Sequence, residues 1–202
     1  GDIYDAVFDP EQRIDVLDRI AEFAGGHSGG LLSKHALARS TDKPEHLYCY
    51  IGNEAESLLA YSDCYPKLGS IADPLSAGVD QIVSTADLAP YEEFRRGRFY
   101  RERARPHGWV DIASAVIEKS ATSCTFLSVV RQEASGLVDA EMRRRMTLVI
   151  PHVRRAVQIG KTIHDKEAEA ICFRDVLDGL SAGMMLVDAT GRIVHANAAG
   201  NT

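Results

Sequence analysis

The strongest constraint on this chain is a run of apolar repetition between Asp139 and Leu180. Stepping by four and three from Met142 reaches Met146, Val149, Val153, Ala156, Gly160, Ile163, Glu167, Ala170, Arg174 and Leu177, and eight of these eleven positions are apolar. A repeat near 3.5 residues is that of a helix with one continuous apolar seam. Asp139 is placed to cap the first turn, and Glu141 sets a negative charge where the helix dipole favours one. At 1.5 Å per residue, a helix of this length spans roughly 60 Å. That exceeds the width of a domain this chain can build, so part of the seam is expected to pack beyond its own domain. Met142, Met146, Val149, Val153, Ala156 and Ile163 are the expected contacts between two chains of a homodimer. Two ordinary core helices joined near Pro151 or Gly160 are the plainer alternative. Pro151 is expected to kink the helix, since the pattern continues past it. Arg143, Arg144 and Arg145 fall off the seam and read as a solvated face.

At 202 residues and 45% hydrophobic, the chain can bury a substantial core. Its net charge of −6 argues against a surface built to bind nucleic acid throughout. No apolar run reaches the ~18 residues that a membrane span requires. The opening residues lack the basic and apolar segments of a signal peptide. Cys49, Cys64, Cys124 and Cys172 are scattered without paired spacing, which suits reduced thiols in a cytoplasm.

Along the chain, Ile3 to Phe8 and Glu11 to Phe23 read as helical, the second with Ile14, Leu17, Ile20, Ala21 and Ala24 on one side and Gly25-Gly26 as its stop. The glycine-rich stretch from Gly25 to Gly30 follows a helix and lacks a Gly-Lys-Ser/Thr, so it reads as a turn into a strand at Leu31 to His35, not as a phosphate cradle. His46 to Ile51 suits a strand, and Asn53 caps a helix that runs to Tyr65. His46, Cys49 and Cys64 offer only three metal donors, and residues three apart on a strand face opposite ways. Tyr91 to Arg105 reads as one helix carrying six arginines among Phe94, Phe99 and Tyr100. Arginines interleaved with aromatics can hold phosphate or RNA, but Glu92, Glu93 and Glu102 offset them in helical pairs.

Trp109 to Glu118 and Ser123 to Gln132 form the clearest hairpin, apolar on both faces near the centre and so expected inside a sheet. A pocket enclosed by this sheet would set one polar group among aromatics to orient a small ligand. Tyr48, Tyr50, Tyr61, Trp109, Asp111 and Phe126 are the candidate ligand contacts. The alternative makes Trp109 a core anchor and Asp111 a cap or an arginine partner. No Ser/His/Asp or Cys/His arrangement, His-Glu-x-x-His pattern or rigid carboxylate pair is present, so no enzyme is expected; any cofactor is unknown from the sequence.

Two stretches carry a family resemblance. Phe173 to Asn201 resembles the opening of a PAS domain: a helix, a glycine before the first strand, Val187-Asp188, Gly191-Arg192-Ile193 at the hairpin, then His195-Ala196-Asn197. Glu92 to Ser120 and Leu127 to Ile159 are similar to the N-terminal sensor region of bacterial LuxR-type helix-turn-helix transcriptional regulators. The acyl-homoserine-lactone-binding branch of that group has several pocket tryptophans. This chain has one, so that ligand is not expected.

The resemblance implies an α/β (α+β) fold: a GAF/PAS-like antiparallel sheet flanked by helices, then a long connecting helix and a partial PAS segment. The expected divisions are a sensor domain at 1–138, a signalling and dimerisation helix at 139–180 and the start of a truncated PAS domain at 181–202. The function it implies is a cytoplasmic sensory and dimerisation region that binds a small molecule or partner. It reaches DNA only through an output domain outside this stretch, and it does not enter a membrane. A ligand-free interaction module is the second expectation. The third is the sensor region of a kinase or cyclic-dinucleotide synthase.

Overall fold

The computed structural model describes residues 2–7, 9, 11–36, 46–51, 78–120 and 123–200. The chain divides into two compact units, Gly1–Val157 and Gln158–Thr202.

The first unit is built on the expected hairpin. Strands β4 (Trp109–Lys119) and β5 (Ser123–Gln132) pair antiparallel, and β1 (Ser28–Ala36) pairs along the other side of β5. With β2 (His46–Ile51) and β3 (Ile82–Ser84) the sheet order is β2-β1-β5-β4-β3. The inner strands β5 and β4 are covered on both faces, which is why their sequences are apolar with little alternation.

One face carries Ala113, Ala115, Ile117, Leu127 and Val129. Against it lie Leu17, Ile20 and Ala21 of α2 (Gln12–Ala24) and Met142, Met146, Ile150 and Val153 of the long helix. Helix α2 comes close enough to β1 that a Cβ at Gly29 would stand 2.7 Å from the Leu17 carbonyl oxygen. It ends at Gly25, whose φ of 87° is the left-handed cap for which glycine is suited. Ile14, expected on its inner side, is instead exposed.

The long helix, labelled α5 here, runs Ala140–Asp178 with Pro151 inside it, and it contributes residues to both units. Asp139 caps it, accepting from the Met142 amide at 2.7 Å. This bond, with the Arg131 guanidinium beside it, holds the Asp139 carboxyl below its usual range. Most of the expected seam packs within its own chain. Met142 and Met146 are each 1% exposed, Val153 and Ala156 are buried, and Val149 packs half-buried on the same core. A helix lying across a sheet needs the same apolar spacing as one lying against another helix, so the period does not name the partner. Burial on this scale stabilises by about 1.5–3 kcal/mol per side chain.

Arg143 is also corrected. It leaves the solvated face and donates to the Ile82 carbonyl at 2.9 Å, to Ser84 Oγ at 3.1 Å and to Asp87 Oδ2 at 2.6 Å. Arg144 and Arg145 stay at the surface on Glu141, whose carboxyl they pull down to about 2.

The opposite face is covered by α3 (Thr85–Leu88), α4 (Tyr91–Arg96) and a π-helical turn at Tyr100–Ala104. The single helix expected from Tyr91 to Arg105 breaks at Gly97, where the backbone is extended. The break lets Phe94, Phe99 and Tyr100 all join the core.

In the second unit, β6 (Met185–Val187) and β7 (Ile193–Ala196) form a hairpin turned at Gly191 with φ of 81°. Asp188 Oδ1 accepts from the Thr190 hydroxyl at 2.6 Å and from the Thr190 and Arg192 amides at 2.9 and 3.0 Å, which holds its carboxyl low. Asn197 is fully buried and uses its whole amide. Its Oδ1 accepts from the Met184 and Gly200 amides, and its Nδ2 donates to the Leu177 and Ala182 carbonyls, all within 2.8–2.9 Å.

No helix among the described residues is long and apolar enough to cross a membrane.

Candidate ligand-binding face

The sheet face beneath α3 and α4 has an unusual floor. Strand alternation decides which side chains lie there. Gly29 points at α2, and Ala113, Ala115, Leu127 and Val129 belong to the α2 side, so Ser28, Gly30, Ser114 and Ser128 face the other way. The register aligns Gly30 with Ser128 and Ser128 with Ser114, a row of small residues across three adjacent strands. The two serine hydroxyls bond each other at 2.9 Å. On one side of this row stands Leu32–Phe126–Val116, and on the other Ser28–Val130–Ile112.

Aromatic rings form the rest of the surface. Phe94 lies 5.4 Å from Tyr100 and 6.2 Å from Phe99 between ring centroids, with Tyr91 packed at their edge. Such offset and edge contacts add about 0.5–1.5 kcal/mol per pair beyond burial. Trp109 is 1% exposed and joins this cluster with Ile112, three residues along the same strand. Two residues three apart share a face here because the β4–β5 register shifts between Trp109 and Asp111.

Two buried donors on this face have no partner among the described residues: Trp109 Nε1 and Ser28 Oγ. A buried unpaired polar group costs about 1–3 kcal/mol, which makes both atoms candidates for contact with something other than the protein.

Asp111 takes a different role from the ligand contact expected of it. It accepts from the amides of Thr85 at 3.0 Å, Ile112 at 2.9 Å and Val138 at 3.0 Å. Burial raises its carboxyl, and these backbone bonds oppose the rise. It ties β4 to the first turn of α3 and to the residue before the α5 cap. Next to it, Ser84 and Asp87 form a reciprocal cap on α3, and Arg143 binds both. Segment α3 therefore touches the aromatic face through Leu88 and α5 through Asp87.

The structure thus brings Trp109 and Phe126 together on one face and sets Asp111 apart as a clamp. Tyr48 and Tyr50 lie on β2, opposite Lys34 and Leu32 in register, with only their backbone described. Tyr61, and the Asn53–Tyr65 helix expected around it, lie outside the described residues. The serine row and Ser28 were not anticipated from the sequence. Among the arginines of 91–105, Arg95 pairs with Glu92 at 3.6 Å and Arg98 with Glu102 at 2.8 Å, both exposed. No group of three or more His, Cys, Asp or Glu able to hold a metal occurs among the described residues.

The LBD domain of VqsR from Pseudomonas aeruginosa aligns over 79% of this chain and 92% of its own, at 13% identity and a TM-score of 0.54. This chain shares its fold. Escherichia coli SdiA aligns over 78% of the chain, at 15% identity and a TM-score of 0.51. The chain spans only 62% of the SdiA structure it matches, less than two thirds of its length. No protein-family model matches the chain, and no curated protein matches it by sequence.

Proposed function

We propose that the first unit is the small-molecule sensing domain of a LuxR-type transcriptional regulator, with its ligand on the aromatic face of the sheet. The observation that carries this reading is the pair of buried, unpartnered donors above a floor of small residues. The fold shared with the VqsR LBD domain supports it. The domain catalyses no reaction. A ligand pressing on Leu88 shifts α3, and the Asp87–Arg143 and Asp111–Val138 bonds carry that shift to the start of α5. From there α5 relays it to a DNA-binding output domain in a cytoplasmic homodimer. Since Met142, Met146, Val153 and Ala156 are held in the core, pairing uses α5 beyond Val157, where Ile163 is half-buried. A ligand contributes only the difference between its affinities for the two states of this link.

A second reading is favoured by the close ring contacts of Phe94, Phe99 and Tyr100. In it the face is filled by the protein's own side chains and the unit serves assembly alone. Native mass spectrometry beside a denatured sample separates the two. A dimer carrying a small mass that denaturation releases supports the sensor. A dimer without added mass, and without response to added compounds, supports the assembly module. A monomer removes the pairing.

A further inference from the structure

We infer that the arginine-rich surface from Arg95 to His107 is a docking site for an acidic protein segment. Six arginines against the one acid Glu102 give this stretch a charge of +5 in a chain whose net charge is −6, so the other residues together carry −11. A surface that only had to stay in solution would intersperse the two signs. Arg101 and Arg105 even stand four apart, a like-charge spacing that weakens a helix.

The fold holds these arginines outward. Phe94, Phe99, Tyr100 and Ala104 are buried and fix the two short helical pieces to the sheet. The break at Gly97 and the π-helical turn bring those side chains inward together and leave the arginines between them exposed. Arg95 lies over the Tyr100 ring, 5.9 Å from its centroid, and pairs with Glu92, while Arg98 pairs with Glu102. Arg96, Arg101, Arg103 and Arg105 are exposed and make no ion pair among the described residues. A backbone already fixed by packing loses less freedom when a partner binds.

The chemistry of the partner follows from what this surface lacks. The rings that could stack on bases face the core, so charge alone is displayed. From Arg96 to Arg105 the patch extends roughly 15 Å at the rise of a helix. A nucleic-acid duplex carries a charge every ~1.7 Å without interruption, and would run past the patch onto a chain that is otherwise acidic. Screening confines the attraction to about 8 Å at physiological salt, which selects a partner whose acids are grouped on the scale of the patch. Guanidinium forks grip carboxylates through two parallel hydrogen bonds, so a short run of Asp or Glu meets the uncommitted arginines.

Fluorescence anisotropy on the whole chain tests this, with fluorescein-labelled hexaglutamate and, separately, a labelled DNA duplex of twelve base pairs. Hexaglutamate is expected to bind more tightly than the duplex, and to weaken at least about ten-fold between about 50 mM and about 300 mM sodium chloride. R101E/R103E/R105E should lose at least about ten-fold in affinity for it. R101Q/R103Q/R105Q, which removes the charge and spares the stems, should lose at least about five-fold. Arg155→Glu alters an exposed arginine of α5 outside the patch and should stay within about two-fold of the native protein. Circular dichroism establishes that each variant is folded. Absence of hexaglutamate binding at the lower salt overturns the docking site, as does native affinity in either folded triple variant. An equal loss in Arg155→Glu overturns its placement. Tighter binding of the duplex than of hexaglutamate overturns the acidic-protein assignment in favour of nucleic acid. None of these outcomes touches the sheet face beneath, so the sensor reading stands or falls separately.

Discussion

Replacing Asp111 separates its structural role from a ligand-binding one. In Asp111→Ala the amides of Thr85 and Val138 lose the acceptor they have at 3.0 Å. The Ile112 amide keeps the Thr85 hydroxyl at 3.3 Å. Two deprived amides at about 1–3 kcal/mol each give a gross cost of about 2–6 kcal/mol. Removing a carboxylate that burial disfavours returns part of this, so a net loss of about 2–4 kcal/mol is expected. Asp111→Asn keeps one acceptor oxygen for Thr85 and Ile112 and turns an N–H toward Val138. Its expected cost is about 1–2 kcal/mol. Urea unfolding followed by emission of the chain's single tryptophan, two residues away, reports on the unit that holds the site. The pH dependence has a definite sign. Because burial raises the folded carboxyl above the usual aspartate range, the folded state binds the extra proton between the unfolded and folded values. Stability therefore falls as pH rises through that window, and the advantage of the native protein over Asp111→Asn should be larger near about pH 4 than near about pH 7. An alanine variant within about 0.5 kcal/mol of the native protein would refute the clamp, as would an asparagine variant that costs as much as alanine.

Three further outcomes follow from packing and polar contacts. Gly29→Ala places a methyl 2.7 Å from the Leu17 carbonyl oxygen, backbone that cannot rotate away. A loss of about 1–3 kcal/mol in urea unfolding is expected. Arg131→Met removes bonds to the carbonyls of Gly25 at 3.0 Å, Gly136 at 3.2 Å and Leu137 at 3.1 Å, a contact with Ser135 and the Asp139 pair. It should cost about 3–5 kcal/mol and free the lead into α5 for proteolysis, which limited digestion would show. The Asp87–Arg143 pair is partly exposed, so a double-mutant cycle with alanine should give a coupling of only about 0.5–1 kcal/mol. If α3 is the link proposed, that cycle should change ligand affinity more than it changes stability.

What the sequence revealed divides along physical lines. The hairpin was legible because β4 and β5 carry dense β-branched residues around a short turn, and the observed strands end within one residue of the expected ones. The helix from Asp139 was legible from its cap and period, and it runs Ala140–Asp178. Its partner was not, because a sheet and a second helix select the same apolar spacing. Trp109 and Phe126 could be chosen by type as residues of a ring-lined site. The Gly30–Ser128–Ser114 row could not, since its three members come together only through the register of three strands. Each does appear as a small residue inside an otherwise apolar strand, a signal that gains meaning once the pairing is known. Arg143 escaped because its position on the helix places it off the seam, while its reach to Ser84 and Asp87 depends on where β3 ends.

The most direct measurement follows the indole N–H of Trp109, the chain's only tryptophan, in a proton–nitrogen correlation spectrum. One indole cross-peak is expected, slow to exchange with water and at the position of an unbonded N–H. A compound that binds this face should move it through ring currents, and one that accepts from the indole should carry it further downfield as the hydrogen bond forms. An indole peak that stays in place while calorimetry shows a compound bound would put the ligand elsewhere and contradict a sensing site on this face.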